Sequence, residues 1–86
     1  MMAWAWKSQA PSAGGCGLSD DQGRAQQAAA NWMDAHGADR AVLEKVLIVY
    51  DAWIPLYVPV GSSRSFEADR DGSGAVRWRA RQTAAA

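Results

Sequence analysis

The sequence has one cysteine, one histidine and three prolines in 86 residues, and the scarcity of the first two excludes whole classes of protein. A single cysteine cannot form an intrachain disulfide, and one cysteine with one histidine cannot supply a common structural zinc site. The sequence also lacks an apolar run of about 18 residues, the length of a membrane-spanning helix. Its most apolar stretch, residues 46–60, is interrupted by an aspartate and two prolines. We therefore predict no metal site, no cofactor and no membrane span.

An excess of charge of either sign is missing as well. Nine Lys and Arg residues balance nine Asp and Glu residues, so the formal net charge is zero. A protein dedicated to nucleic acid or to anionic membranes normally carries a positive long-range field. Zero net charge therefore disfavours both kinds of partner.

The N-terminal residues do not have the pattern of a secretory signal. Residues 1–6 form a short apolar stretch, and the first basic residue, Lys7, follows this stretch instead of preceding it. Cys16 lies between glycines and is expected to be a reduced thiol. The sequence thus predicts a cytoplasmic protein, and its alanine content and preference for Arg over Lys are typical of a GC-rich bacterial genome.

The first half of the chain predicts a strand, a loop and a helix. The alternation of tryptophan with small residues places Trp4 and Trp6 on one face of a strand. Residues 10–18 are rich in glycine and have little to bury, which favours a flexible loop. Apolar residues at helical spacing then predict an amphipathic helix between Ser19 as N-cap and Gly37 as a left-handed C-terminal residue.

Residues 39–54 allow two interpretations. Their apolar positions recur at helical spacing, whereas a β-branched run within them is typical of a buried strand. We prefer a short helical turn over residues 39–44 followed by a strand over residues 45–50. Residues 53–60 predict an edge strand, because their two prolines cannot donate to a hydrogen-bond ladder.

The last third of the chain predicts a β-hairpin whose register can be derived. Pairing Asp71 with Ala75 leaves a three-residue loop with Gly74 in its final, left-handed position. This register matches the apolar faces of the two strands and the charges on their other face. The pairs it places opposite each other are Ala68 and Trp78, Phe66 and Ala80, Asp69 and Arg77, and Glu67 and Arg79.

These elements predict an α+β fold in a single domain over residues 1–86, with the order β-α-β-β-β-β and a frayed tail at residues 83–86. One helix packs on a mostly antiparallel sheet. The strands at 45–50 and 53–60 are apolar on both faces, and such strands need cover on both sides. Because one helix covers one face, we expect a second copy of the chain or a partner protein to cover the other.

Three residues of these apolar strands are the predicted partner-binding residues: Trp53, Tyr57 and Ile48. Trp53 lies at a chain reversal between Asp51 and Pro55, which makes it the candidate for an exposed aromatic anchor. Burial beneath the N-terminal loop is the more frequent outcome for a tryptophan in so small a domain. The other four tryptophans lie on faces predicted to point inward.

A second candidate site consists of arginines and would bind phosphates, with Trp78 available for stacking on a base. Two of these arginines face carboxylates in the predicted hairpin, which cancels much of their field. Only Arg81, with Arg64 and Arg70 nearby in sequence, is left without an obvious partner. The set comprises Arg64, Arg70, Arg77, Arg79 and Arg81.

The sequence contains few other patterns that indicate metal binding or catalysis. Residues 69–74 match the first ligand positions of an EF-hand calcium loop, but Ala80 occupies the place of the final glutamate, so turn chemistry explains them as well. No catalytic residue is predicted, although His36, Asp51 and Tyr57 are the titratable groups that an oligomeric enzyme would use. The leading hypothesis is a non-enzymatic protein-interaction module, a homodimer or an accessory subunit. A small nucleic-acid-associated protein is second, and an enzyme third.

Overall fold

The structure, a computed structural model, describes residues 2–60 and 65–81. One helix packs on a six-stranded antiparallel sheet, so the predicted α+β class is confirmed, with an additional strand before the helix. Within the described residues, no helix has the length and apolarity needed to cross a membrane. The elements are β1 (Met2–Gln9), β2 (Gly14–Ser19), α1 (Gln22–His36), β3 (Ala41–Asp51), β4 (Ile54–Pro59), β5 (Ser65–Arg70) and β6 (Val76–Arg81).

The longest strand, β3, organises the sheet. The strand order is β2-β1-β3-β5-β6, and β4 also pairs with β3. Strand β1 pairs with one edge of β3, while the other edge pairs with β5 over residues 41–44 and with β4 over residues 46–51. The β3–β4 hairpin therefore extends the sheet in one direction, beyond the strands that the helix covers.

The loop predicted over residues 10–18 is wrong, because most of it forms β2. The glycines that suggested flexibility instead make room for aromatic side chains. A Cβ atom on Gly15 would overlap the indole of Trp32, and one on Gly17 would approach Nε1 of Trp6 to 2.5 Å. Glycine in this strand thus permits close packing of two tryptophans against the sheet.

The helix begins later than predicted. Its N-cap is Asp21, whose Oδ2 accepts a hydrogen bond from the amide of Arg24 at 2.8 Å. The predicted N-cap, Ser19, is wrong, because this residue still belongs to β2, and its Oγ accepts from the amide of Asp21 at 3.2 Å. Gly37 ends the helix with a φ of 69°, as predicted.

The helical turn predicted over residues 39–44 is also wrong. Strand β3 begins at Ala41 and continues without interruption, so the predicted strand at 45–50 is its second half. Hydrogen-bonded neighbours on both edges stabilise the strand here, which outweighs a helical spacing of apolar residues.

The core lies between the helix and the sheet, and the four tryptophans predicted to point inward belong to it or pack against it. Trp6, Leu43 and Met33 are buried in it beside alanines of the helix. Small helix residues allow close approach to the sheet. The half-buried side chains that pack against this core are Trp4, Trp32, Phe66, Val76 and Trp78.

The C-terminal hairpin has the predicted register in all four pairs. The carboxylate of Asp71 accepts hydrogen bonds from the amides of Ser73 at 2.8 Å and Ala75 at 3.1 Å, and Gly74 has a φ of 86°. Turn chemistry thus accounts for these residues. The predicted tail at 83–86 lies outside the described residues.

Candidate functional site

The exposed apolar surface concentrates on the β3–β4 hairpin, residues 46–59, which we call the arm. It carries seven of the nine large apolar side chains that are exposed in the described part of the chain. Every residue of β4 is exposed. The seven are Leu47, Tyr50, Trp53, Ile54, Leu56, Tyr57 and Val58.

The arm has two apolar faces, defined by the alternation of side chains along its strands. Leu43 is buried beneath the helix, so the odd-numbered residues of β3 lie on the helix side. The β4 residues paired with them are on the same side. The helix-side face comprises Leu47, Val49, Asp51, Ile54, Leu56 and Val58, and the open face comprises Val46, Ile48, Tyr50, Pro55, Tyr57 and Pro59.

The helix is too short to cover the arm. Its 15 residues extend about 22 Å, whereas the 11 residues of β3 extend about 36 Å. The helix packs mainly on β1 and β2. The helix-side face of the arm consequently leaves Ile54 62% and Leu56 45% exposed.

The structure brings two of the three predicted partner-binding residues together. Ile48 and Tyr57 are cross-strand neighbours on the open face, with Ile48 half-buried and Tyr57 exposed. Trp53 lies apart from them at the tip of the arm and is 95% exposed, so the alternative of its burial beneath the N-terminal loop is wrong. The helix-side residues Ile54 and Leu56 were missed, although their alternation with the prolines could have identified them.

The tip of the arm is a strained turn. Asp51 pairs with Ile54, which leaves Ala52 and Trp53 as a two-residue loop with φ values of 49° and 69°. Positive φ at both positions defines a type I′ turn, for which Asn-Gly is the favoured sequence. An L-residue in the left-handed region costs roughly 1–2 kcal/mol. The fold thus keeps a bulky, solvent-exposed indole at a position where glycine would be relaxed.

The outer edge of the arm is poorly suited to pairing with another strand. The amide of Val60 donates to the carbonyl of Lys45 at 3.0 Å, so the even-numbered residues of β4 direct their backbone groups toward β3. The backbone groups of Pro55, Tyr57 and Pro59 then face outward. Because proline has no amide hydrogen, Tyr57 supplies the one outward N–H group within β4.

The open face also contains a groove of about 390 Å³. Its lining residues include Ala5, Leu18, Val42, Val46 and Tyr57. The groove is continuous with the arm, so the apolar surface extends from the arm onto the sheet.

The arginines of β6 are engaged by carboxylates on β5. Arg77 Nε donates to Asp69 at 2.9 Å, and Arg79 lies 2.6 Å from the same carboxylate and 3.6 Å from Glu67. The hydrogen bond from Arg77 lowers the pKa of Asp69, and the same bond raises the pKa of Arg77. The predicted charge ladder is therefore present, and its positive groups are largely neutralised.

Arg70 does not point toward a phosphate-binding surface with the other arginines, because its hydrogen-bonding groups are engaged within the fold. Its side chain turns toward the helix side and donates to the carbonyls of Ala38 at 3.1 Å, Met33 at 3.2 Å and Gly74 at 2.9 Å, and to Asp34 at 3.1 Å. These bonds connect the end of the helix to the C-terminal hairpin.

Two members of the arginine set remain. Arg81 is exposed and forms no ion pair with the described residues, while Arg64 lies outside them. A free Arg81 alone adds little to a phosphate-binding surface. Nucleic-acid binding stays a prediction.

The titratable groups considered for catalysis are distributed along the molecule. His36 is the last residue of the helix and stacks on Trp32, with ring centroids 4.2 Å apart. Asp51 is the last residue of β3. Tyr57 pairs with Ile48 in the arm. Among residues 2–60 and 65–81, no three His, Cys, Asp or Glu side chains are grouped to hold a metal ion.

Comparisons with protein-family models, curated proteins and solved structures found no match for this chain. The surface chemistry of the arm is therefore the basis for assigning a function.

Proposed function

We propose that this chain is a non-enzymatic protein-interaction module that binds through the arm, as a homodimer or as an accessory subunit of a bacterial, cytoplasmic complex. The observation that carries this proposal is the exposure of apolar side chains on both faces of a two-stranded ribbon. Such a ribbon is marginally stable by itself in water. A partner that covers the arm would stabilise it and remove the apolar surface from solvent.

The exposed area of the arm is comparable with that of a specific interface. The exposed fractions of Tyr50, Trp53 and Tyr57 are 68%, 95% and 51%. At 150–250 Å² for each aromatic side chain, these three offer roughly 400 Å². With the aliphatic side chains, the arm approaches the about 800 Å² that each partner contributes to a standard interface.

The residue types of the arm also suit a binding surface. Tryptophan and tyrosine dominate the binding energy of many interfaces, because they bury a large area at a low entropic cost. The strained turn holds Trp53 away from the body of the protein, where it stabilises no core contact. Strain that packing does not explain is often associated with function.

Site-specific photo-crosslinking in the native host tests this proposal. A benzophenone amino acid at position 53 should form adducts with a protein of defined mass, whereas the same group at position 28, on an exposed alanine of the helix, should not. An absence of protein adducts at position 53, equal adducts at both positions, or adducts with nucleic acid would contradict the proposal.

A further inference from the structure

We infer that the partner is a second copy of this chain, whose arm packs antiparallel across the helix-side face of the first arm. This inference depends on the proposed function and specifies its partner and its contact face. The dimer would be two-fold symmetric, with the same patch contributed by both copies.

Edge-to-edge pairing of two arms is disfavoured by the backbone. A regular antiparallel ladder requires alternating outward N–H and C=O groups on both edges. Pro55 and Pro59 remove two of the three outward N–H groups of β4. We therefore expect a second copy to contact a face of the arm instead of its β4 edge.

The helix-side face is the one whose exposed side chains are aliphatic apart from Asp51, whereas the open face exposes Tyr50 and Tyr57. On the opposite side of the sheet, the base of the arm is already covered, since Val46 is 3% and the neighbouring Ala3 is 6% exposed. On the helix side, Ile54, Leu56 and Val58 are between 45% and 62% exposed. These aliphatic side chains form a continuous row with no polar group between them.

The charges that flank this row are self-complementary. Lys45 and Asp51 lie on the helix-side face at either end of Leu47 and Val49. Neither charge forms an ion pair with the described residues, and Lys45 Nζ lies 5.8 Å from the ring centroid of Trp4. In an antiparallel two-fold arrangement, Asp51 of each copy meets Lys45 of the other, so the dimer contains this ion pair twice.

The layer beside the helix also has room for a second arm. Packed sheets lie about 10 Å apart, which is close to the spacing of a helix on a sheet. The helix extends about 14 Å less than β3 along the sheet. An arm of the second copy would occupy this part of the layer, and its Trp53 would reach toward the helix of the first copy.

Sedimentation equilibrium with lysine substitutions of two equally exposed leucines tests the contact face. Wild type should be a dimer at micromolar concentration. Leu56→Lys, on the helix-side face, should raise the dissociation constant by about 100-fold or more, because it buries a charge in the centre of the contact. The matched control is Leu18→Lys, because Leu18 is as exposed as Leu56, at 45%, but lies outside the arm on the open side of the sheet. It should change the dissociation constant by less than about fivefold. The reverse pattern would overturn the choice of face.

A charge exchange tests the antiparallel arrangement. Lys45→Asp and Asp51→Lys should each weaken the dimer by about 10-fold, and the double variant should recover most of the loss. Thermal melts of each variant establish that it is folded. Single variants that dimerise like wild type, or a double variant weaker than both, would overturn the arrangement.

The oligomeric state of wild type distinguishes this inference from the proposed function. A monomer at high micromolar concentration that crosslinks through position 53 to a different protein overturns the inference and leaves the proposed function supported. A monomer without any protein adduct at position 53 overturns both.

Discussion

At the scale of single residues, the tip of the arm holds two exposed residues in a backbone conformation that their side chains disfavour. Ala52 and Trp53 both have positive φ although neither is glycine, asparagine or aspartate. By contrast, the turn of the C-terminal hairpin uses Gly74 at its left-handed position. The C-terminal hairpin thus has glycine where φ is positive, whereas the tip of the arm has alanine and tryptophan. We infer that Trp53 is kept at this position for a reason other than stability.

Two aspartates of the C-terminal hairpin make stability depend on pH. Hydrogen bonds from Arg77 lower the pKa of Asp69, and hydrogen bonds from Ser73 lower the pKa of Asp71. Because the folded state favours the ionised carboxylates, their contribution is present above the unfolded pKa of about 4 and is lost as pH falls through the lower folded values. We expect the free energy of unfolding, measured with denaturant, to fall below about pH 4.

A double variant provides the matched comparison. Asp69→Asn/Asp71→Asn should be less stable than wild type at pH 7 and should lose less stability between pH 5 and pH 2. Asp20→Asn, at an exposed carboxylate outside the hairpin, should retain the wild-type dependence. An equal dependence in the double variant and wild type would show that these carboxylates do not stabilise the hairpin.

At the scale of elements, β2 depends on small residues beneath two tryptophans. Gly15→Ala and Gly17→Ala should each destabilise the fold by about 1–3 kcal/mol, since the added methyl groups would displace Trp32 and Trp6. Gly14→Ala is the control on the same strand, because its Cβ would meet the end of the flexible Gln9 side chain. Thermal and denaturant unfolding measure the effect. Equal stability of all three variants would contradict this packing.

Elements whose partners are local in sequence were predictable, and those with distant partners were not. The register of the C-terminal hairpin follows from matching apolar and charged positions across one short loop. The identity of β2 depends on its pairing with β1 and on Trp32, which lies on the helix. The first half of β3 is likewise fixed by two neighbouring strands. Tertiary contacts thus decide the state of segments whose local preference is weak.

At the scale of the whole molecule, the sequence predicted an uncovered apolar surface and the structure locates it. When strands are apolar on both faces, one helix can cover only one of those faces. From the sequence we expected the uncovered surface on the face opposite the helix, whereas the arm is exposed on both faces because the helix packs mainly on β1 and β2. The sequence also could not separate Trp53 from the core, because its exposure results from a turn geometry that its sequence disfavours.

The tip of the arm combines a strained turn with an exposed indole, and one pair of variants tests most directly whether this indole contributes to binding. Ala52→Asn relaxes the turn and keeps Trp53, whereas Ala52→Asn/Trp53→Gly relaxes both positions and removes the indole. Each variant is compared with wild type by denaturant unfolding under dilute, monomeric conditions and by sedimentation equilibrium at higher concentration.

We expect both variants to be more stable than the wild-type monomer, by about 1 kcal/mol for each relaxed residue. The single variant should associate as wild type does, and the double variant should associate at least about 10-fold more weakly. A double variant that associates as tightly as wild type would contradict the account, because it would show that the exposed tip of the arm is not part of the contact.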